Sequence, residues 1–218
     1  RATNMLKKNT LSVFIVGLGQ IGASIGYDLS SNQAIAEVIG YDKDVAVSNC
    51  ARRKGAVRET VSSVEKGMAK SNLIILATPI RETIKLLPLI CKLATPDKII
   101  IDLAGTKTEI VQKIQSLDCQ AIYFSCHPIA GAEKQGIAAA RKGLFNKANF
   151  IIVPLIRKDN NSLPIITKLI RSIGALPTVM TADRHDNAIA LTSHLPYVIA
   201  LSISELTAAL SKKLPEVW

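Results

Sequence analysis

Aromatic residues are scarce in this sequence, and so are the patterns that mark several common kinds of binding site. Aromatic side chains make up 4% of the 218 residues and are not interleaved with lysine or arginine, as stacking on single-stranded nucleic acid would require. The four cysteines form no C-x-x-C pair and have no zinc-ligand spacing with the three histidines. We therefore expect reduced thiols, no metal site and no nucleic-acid partner.

Targeting and membrane signals are also missing. No signal-peptide pattern opens the chain. The longest nearly apolar run, residues 72–80, is far too short to cross a bilayer. These absences predict a cytoplasmic protein with no membrane partner.

The charge is unbalanced, because 27 lysines and arginines face 17 aspartates and glutamates, a formal net charge of +10. Such a surplus favours anionic partners. The basic residues are spread along the chain, so an anionic small molecule together with a dinucleotide accounts for the charge as well as nucleic acid does. A basic surface without any function also accounts for it.

A glycine motif follows the first apolar run. Gly17, Gly19 and Gly22 form G-x-G-x-x-G, and a stretch with apolar residues at helical spacing comes next. At a strand-to-helix turn these glycines would allow a tight turn, close approach of a pyrophosphate and close helix packing. The first N–H groups of the helix, at Gln20 and Ile21, would face the phosphates. The motif therefore predicts a dinucleotide site.

The second apolar run ends in Asp42, twenty residues beyond Gly22. A carboxylate at this position can accept hydrogen bonds from the adenosine ribose and would repel a 2′-phosphate, so we expect NAD rather than NADP. Lys43 and the basic cluster at residues 52–54 keep NADP open. The cluster also fits the solvated end of a helix.

Predicted strands and helices alternate as far as residue 180. This order is typical of an α/β, Rossmann-type doubly wound, mostly parallel sheet, which we assign to residues 1–181. Residues 183–210 contain no glycine and carry apolar residues at helical spacing, interrupted at Pro196. We expect one long helix or a kinked pair, the first part of an all-helical second domain over residues 182–218.

Three clusters of polar residues follow predicted strands, where doubly wound sheets bind ligands: Thr78 with Pro79, residues 102–107, and residues 126–133. His127 follows its strand directly, and a side chain with a pKa of about 6.5 suits a general base. The alternative is a turn histidine bonded to the backbone. Gly131 permits a bend that could bring Glu133 back over the site.

The two other histidines lie in the helical part. We expect His185 to cap the helix or face water. Pro196 would open the helix near His194, either for a site or as a packing kink. Cys126 and His127 should not form a nucleophilic pair, since neighbours in an extended segment point to opposite faces.

Five motifs, read in order, resemble those of the prephenate/arogenate dehydrogenase family of tyrosine biosynthesis. They are Gly17-Leu-Gly-Gln-Ile-Gly-Ala-Ser, Ala77-Thr-Pro, Asp102-Leu-Ala-Gly-Thr-Lys, His127-Pro-Ile-Ala-Gly-Ala-Glu-Lys-Gln-Gly136 and Thr192-Ser-His-Leu-Pro196. The resemblance implies an NAD-dependent enzyme that oxidatively decarboxylates prephenate or arogenate, with His127 as the catalytic base. It also implies a homodimer formed through the helical part.

The resemblance assigns further residues. His194 would line the substrate pocket, Glu133 would lie at its mouth beside Gly131, and Thr78 with Pro79 would lie along the cofactor. The family usually has a serine where this chain has Gly105, and Thr106 is the residue that could replace its hydroxyl.

Two more departures from the family leave other functions open. Tyr197 stands where a second histidine is common, and the family's carboxylate-binding arginine would come after Trp218. A non-catalytic NAD-binding regulatory domain would fit this arginine's absence and Gly105. A β-hydroxyacid dehydrogenase would need a lysine on the long helix, and residues 183–210 contain none.

Overall fold

The structure, a computed structural model, describes residues 11–131, 135–156 and 162–212. Within these residues the strands are β1 (Leu11–Val16), β2 (Ile35–Tyr41), β3 (Glu59–Thr60), β4 (Leu73–Leu76), β5 (Ile99–Asp102), β6 (Ile122–Pro128), β7 (Asn149–Ile156) and β8 (Leu176–Val179). The α-helices are α1 (Gln20–Ser30), α2 (Val45–Arg53), α3 (Val64–Lys70), α4 (Ile80–Leu93), α5 (Thr108–Gln115), α6 (Ser162–Ser172), α7 (Ala182–Ile189) and α8 (Leu195–Ser211). A 3₁₀ turn spans Ile137–Ala139, and a π-helical turn, Ala190–His194, joins α7 to α8.

All eight strands form one sheet in the order β3-β2-β1-β4-β5-β6-β7-β8. Neighbouring strands are parallel except β6 and β7, which are antiparallel. The strand order reverses between β1 and β4, and this reversal opens a crevice at the carboxyl ends of the strands. The predicted doubly wound, mostly parallel sheet is confirmed.

The sheet is buried on both faces because successive residues of each central strand point to opposite sides. In β1, Val13 and Ile15 join the core under α1 and α6, whereas Phe14 and Val16 join the core under α3, α4 and α5. Helices on both faces therefore fix the strand ends from which the crevice is built.

Two details of the strands differ from the sequence prediction. β3 was not predicted, since two residues without an apolar run give no strand signal. β6 was predicted to end before His127 but continues to Pro128, because β7 pairs with it and His127 lies opposite Ile151. His127 is therefore held inside a strand rather than in the turn after it.

The helical part begins at Ala182 and runs through the π-helical turn into α8. Pro196 lies in the first turn of α8 and has no N–H to donate to the preceding turn. A π-helical turn accommodates such a break while the helix continues. The predicted interruption at Pro196 is thus present, just before the proline.

Segment Ala182–Ser211 corrects our expectation about apolar runs. It is 30 residues long, and its most apolar 18 residues have a mean hydropathy of 1.3, so by length and composition it is the one helical segment of the described residues that could cross a membrane. Serines and threonines among its apolar residues hid it from a search for continuous runs. Only 6% of its most apolar stretch is buried, and α8 has no buried residue. Its apolar surface is thus unpartnered within the described residues.

Candidate active site

The glycine turn lies at the carboxyl end of β1, beside the point where the strand order reverses. Gly17 has a φ of +91°, and a Cβ atom there would lie 2.8 Å from the carbonyl oxygen of Ala77. A Cβ atom on Gly22 would lie 2.0 Å from the carbonyl oxygen of Gly17, so α1 packs directly on the turn. Around Gly19 a Cβ atom would meet nothing within 4 Å. The turn is therefore tight at two glycines and open at the third.

Asp42 connects the glycine turn to the end of β2. Its Oδ2 accepts a hydrogen bond from the N–H of Leu18 at 2.8 Å, and its Oδ1 accepts one from the N–H of Asp44 at 3.0 Å. The carboxylate lines a cleft of about 300 Å³ together with Gly19 and Lys43. Each oxygen keeps a lone pair that can accept a further hydrogen bond.

A second cleft, of about 410 Å³, lies on the other side of Gly19. The two clefts share Gly19, Ala77, Thr78 and Pro79, so they form one continuous groove over the carboxyl ends of the strands. The second cleft is also lined by Gln20, Ile21, Leu103, Ala104, Gly105, Gln135 and Gly136. Gln20 Nε2 is buried and has no hydrogen-bond partner in the described part of the chain. An unsatisfied donor beside an open glycine fits an anionic or carbonyl-bearing ligand in this groove.

The basic cluster at residues 52–54 lies at the opposite end of α2 from Asp42. Arg52 and Arg53 occupy the last turn of this nine-residue helix. At 1.5 Å per residue they are roughly 11 to 12 Å further along the helix axis than its first residue. They are exposed and placed to stabilise the helix C-terminus, which leaves Lys43 as the basic residue beside Asp42.

His127 is half-buried near the end of β6, and its ring contacts a second histidine. His127 Nδ1 lies 2.9 Å from His185 Nε2, and His185 Nδ1 lies 2.7 Å from Asp186 Oδ1. His185 is completely buried. The expectation that His185 caps the helix or faces water is therefore wrong, because its ring lies against His127 at the end of β6.

Asp186 is anchored by the start of α5. Its Oδ1 accepts a hydrogen bond from the N–H of Lys107 at 2.8 Å. Its Oδ2 accepts bonds from the N–H and the hydroxyl of Thr108 at 2.9 and 2.6 Å. Partial burial raises the pKa of Asp186, but these hydrogen bonds outweigh it and hold the pKa at about 2. Asp186 thus caps α5, which has no side-chain cap of its own.

Lys107 is a buried cation that connects the ends of β5 and β6. Its Nζ donates to the carbonyl oxygens of Ala104 and Cys126 at 2.6 Å each and lies 3.3 Å from Asp102 Oδ1. Both charged side chains are fully buried. Removing either charged side chain would leave the other buried without a partner. The pair therefore fixes the loop after β5 against the end of β6.

Burial is the main reason that the pKa of His127 is lowered to about 4. Positive charge on Lys107 has the next largest effect, and charge on His185 or His194 acts in the same direction. Asp186 opposes these effects. At neutral pH His127 is therefore an uncharged imidazole that can accept a proton.

The residues assigned to the substrate lie around this imidazole to different extents. A Cβ atom on Gly105 would lie 3.9 Å from His127 Nε2, so the loop after β5 approaches the ring closely. Thr106 makes no hydrogen bond to His127 in the described residues. His194 is exposed on the π-helical turn, and Gly131 is exposed after β6. Glu133 lies outside the described residues.

Two further results concern the burial of Cys126 and of His185. Cys126 is buried on the other side of β6 from His127, so the two form no nucleophilic pair, as predicted. His185 and Ile189 are the buried residues of α7 and are four apart, so they share one face of the helix. That spacing is a sequence signal that could have shown His185 to be buried.

Residues 25–179 match the family model for the nucleotide-binding domain of prephenate dehydrogenase. The chain belongs to this family. The match begins just after the glycine turn and includes His127, so the turn and the family match are separate observations on the same groove.

Relatives extend the likeness into the helical part. The prephenate dehydrogenase of Lactococcus lactis is 31% identical over 194 residues, which are 88% of this chain and 52% of that protein. Arogenate dehydrogenase from Synechocystis has a similar structure, with a TM-score of 0.82, 26% identity and coverage of 95% of this chain and 75% of that one. Prephenate dehydrogenase from Aquifex aeolicus, in complex with hydroxyphenyl propionate and NAD+, has a TM-score of 0.82 at 23% identity, covering 90% and 68%. The chain spans about half the length of the curated prephenate dehydrogenases it matches.

Proposed function

We propose that this chain provides the nucleotide-binding domain and the catalytic base of an NAD-dependent dehydrogenase that oxidatively decarboxylates prephenate or arogenate in tyrosine biosynthesis. The observation that carries the proposal is the position of His127. Its Nε2 atom lies beside Gly105, which lines the same groove as the glycine turn.

Several features support NAD as the cofactor. Gly19 leaves the backbone open to a pyrophosphate, and the first N–H groups of α1, at Gln20 and Ile21, point toward the same region. Asp42 has lone pairs for the ribose hydroxyls and a charge that would repel a 2′-phosphate. The related Aquifex aeolicus enzyme was crystallised with NAD+.

The reaction divides between the cofactor and the chain. NAD, when bound, would supply the acceptor for the hydride that leaves the ring carbon carrying the hydroxyl group. His127 Nε2 takes the proton of that hydroxyl group, and the carbon–oxygen bond becomes a carbonyl. The carbon–carbon bond to the ring carboxylate then breaks, CO2 leaves, and its electron pair passes through the ring to the carbonyl oxygen, which takes the proton back from His127. The products are an aromatic hydroxyl compound, CO2 and reduced NAD.

The low pKa of His127 keeps the base uncharged before the substrate binds. Prephenate and arogenate each carry two carboxylates, and their negative charge near the imidazole would raise its affinity for the proton. We propose His194 as a substrate contact from the π-helical turn, with Gly131 and Glu133 at the mouth of the pocket. Thr106 is a further candidate, since it precedes α5 beside Gly105.

The test is to incubate the full-length protein with each combination of prephenate or arogenate and NAD or NADP, and to follow the absorbance of the reduced nicotinamide. We expect reduction of NAD with at least one substrate and little reduction of NADP. Normal turnover in a His127→Ala variant would overturn the mechanism. The same four assays decide between the keto acid and the amino acid as the preferred side chain.

We also propose that the protein is a homodimer formed through α8. Eight large apolar side chains of α8 are 43–68% exposed: Leu195, Tyr197, Val198, Ile199, Leu201, Ile203, Leu206 and Leu210. A patch of this kind favours a protein interface. Light scattering should give twice the chain mass, and Ile203→Glu should give a monomer. Co-sedimentation with phospholipid vesicles would instead favour a membrane surface.

A cytoplasmic location completes the proposal. The four cysteines are free in the structure, in keeping with a reducing compartment. Fractionation of cells that express the full-length protein tests this, and recovery with secreted or membrane proteins would contradict it.

A further inference from the structure

We propose that Asp186 and His185 form a positioning pair that fixes the tautomer of His127, so that its Nε2 is the bare nitrogen facing the groove. This inference rests on the proposed function for its catalytic consequence. It depends on two hydrogen bonds between ring atoms and on the surroundings of one carboxylate.

The first step is the charge state of Asp186. The N–H of Lys107 and both the N–H and hydroxyl of Thr108 surround the carboxylate, and the backbone groups can only donate. These donors stabilise the negative charge and hold the pKa of Asp186 at about 2. The carboxylate is therefore ionised, and it can only accept a hydrogen bond from His185.

The second step is the direction of the two bonds between rings. Since Asp186 accepts, His185 Nδ1 carries the hydrogen at the 2.7 Å contact. Burial lowers the pKa of His185, which favours the neutral ring, and a neutral ring has a bare second nitrogen. His185 Nε2 therefore accepts across the 2.9 Å contact, and His127 Nδ1 donates.

The third step is where this leaves the bare nitrogen of His127. With the hydrogen on Nδ1, the neutral ring has its lone pair on Nε2. Of the ring atoms, Nε2 is the one nearest to the Cβ position of Gly105, at 3.9 Å, and Gly105 lines the groove. The opposite tautomer would present an N–H to the substrate hydroxyl group and could not take its proton.

Other charged groups also face this ring. Lys107, just before α5, and His194, in the π-helical turn, disfavour a positive charge on His127, whereas Asp186 favours one. Asp102, beneath Lys107, is paired with it rather than with His127. Asp186 is thus the negative group that reaches His127 through a hydrogen-bonded ring. It can both set the tautomer and partly offset the charge that develops during proton transfer.

The tautomer can be measured without a substrate. The chain contains three histidines, so the imidazole region of a ¹⁵N-correlated NMR spectrum holds three ring systems. Single His→Gln variants assign them. We expect Nδ1 to be protonated and Nε2 to be bare in both His127 and His185 at pH 7. A protonated Nε2 on His127 in the wild-type spectrum would overturn the proposal.

The variant that tests the cause is Asp186→Asn, with Asp183→Asn as the matched control. Asp183 lies in the first turn of α7, three residues before Asp186, and is exposed, so its substitution removes the same charge without touching the ring. In Asp186→Asn the amide N–H₂ can donate to His185 and reverse both bonds. We expect a mixture of His127 tautomers, whereas Asp183→Asn should retain the wild-type spectrum.

The kinetic part of the test uses the full-length protein. Asp186→Asn should lower kcat roughly 100-fold, in line with loss of a positioned base, while KM and the Kd for NAD change less than about twofold. A purely structural role would also weaken NAD binding and lower the melting temperature in proportion. Wild-type kcat in Asp186→Asn would overturn the proposal. If no substrate is oxidised by the wild-type protein while its tautomer is as described, the proposed function fails and the positioning pair stands.

Discussion

The two halves of the groove are built in different ways. The glycine half consists of backbone from one short segment, and what it requires of its glycines is the absence of a side chain. The histidine half consists of residues from β6, α5 and α7. The hydrogen bonds that join them connect residues that are far apart in the chain, separated by 58 positions in one case and by 79 in another. The glycine half thus depends on steric fit, and the histidine half depends on a series of hydrogen bonds.

This difference has a physical consequence. In the glycine half a substitution acts through steric contact and therefore affects folding or ligand approach. In the histidine half a substitution acts through protonation and orientation, so it should affect the rate and its pH dependence while the groove stays intact. Variants should separate these two kinds of effect, and the following experiments are chosen to do so.

The largest expected effect belongs to the histidine half. Replacing His127 by alanine in the full-length protein should lower kcat by about 1000-fold, within the range that a positioned acid–base group provides. The Kd for NAD, measured by calorimetry, should stay within about twofold of wild type because the glycine half is unchanged. A loss of NAD affinity as large as the loss of rate would mean that the halves are not separable.

In the glycine half, two neighbouring substitutions should have opposite signatures. Gly22→Ala places a Cβ atom 2.0 Å from backbone, so the turn must move, and we expect a loss of about 3 kcal/mol in the free energy of unfolding. Gly19→Ala meets nothing in the free protein and should leave stability unchanged while weakening NAD binding. Urea unfolding and NAD titration of both variants measure the contrast. Equal stability of the two variants would contradict the tight packing of α1 on the turn.

The pH dependence of stability should come from the histidine half. Since the pKa of His127 is lowered to about 4 by burial, the unfolded chain takes up a proton more readily between pH 6.5 and 4. As the pH falls from 6.5 to 4, the free energy of unfolding should therefore decrease, by up to about 3 kcal/mol from His127. The pKa of Asp186 is held at about 2, below its ordinary value of 3.8. Asp186 therefore contributes stability that is fully present above pH 3.8 and is lost as the pH falls toward 2. Urea unfolding at several pH values checks this, and His127→Gln should flatten the upper part of the curve.

A smaller effect is expected at Asp42, where the two chemical roles of a carboxylate can be separated. Asp42→Ala removes the acceptor for Leu18 and for the ribose, and should weaken NAD binding about tenfold, near the value of one charge-assisted hydrogen bond. Asp42→Asn keeps an acceptor for Leu18 but not the charge, so it should mainly relax discrimination against NADP. Titration of both variants with both cofactors tests this. An unchanged preference in both would remove Asp42 from the cofactor site.

The glycine half could be predicted from the sequence because its three glycines are close together in the chain and their spacing is typical of one kind of strand-to-helix turn. Gly17, Gly19 and Gly22 follow an apolar strand, and the structure has the turn where the motif predicts it. The residues that hydrogen-bond to His127, directly or through His185, could not be predicted in this way. Asp186 caps a helix that begins 78 residues earlier, and no local pattern records that contact. The strand end at His127 was also misjudged, because its antiparallel partner β7 comes later in the chain.

The smallest expected effect tests where the two halves meet, at Gly105. A Cβ atom there would lie 3.9 Å from His127 Nε2, so the hydroxyl group of Gly105→Ser, one bond further, can reach the bare nitrogen and donate to it. This hydrogen bond favours the neutral ring, and we expect the acid limb of kcat/KM to move to lower pH with a change in kcat of only a few fold. Gly105→Ala is the control, since it adds the carbon without the donor. If both variants shift the pH profile equally, the effect is burial of the ring, and the hydroxyl group has no part in it.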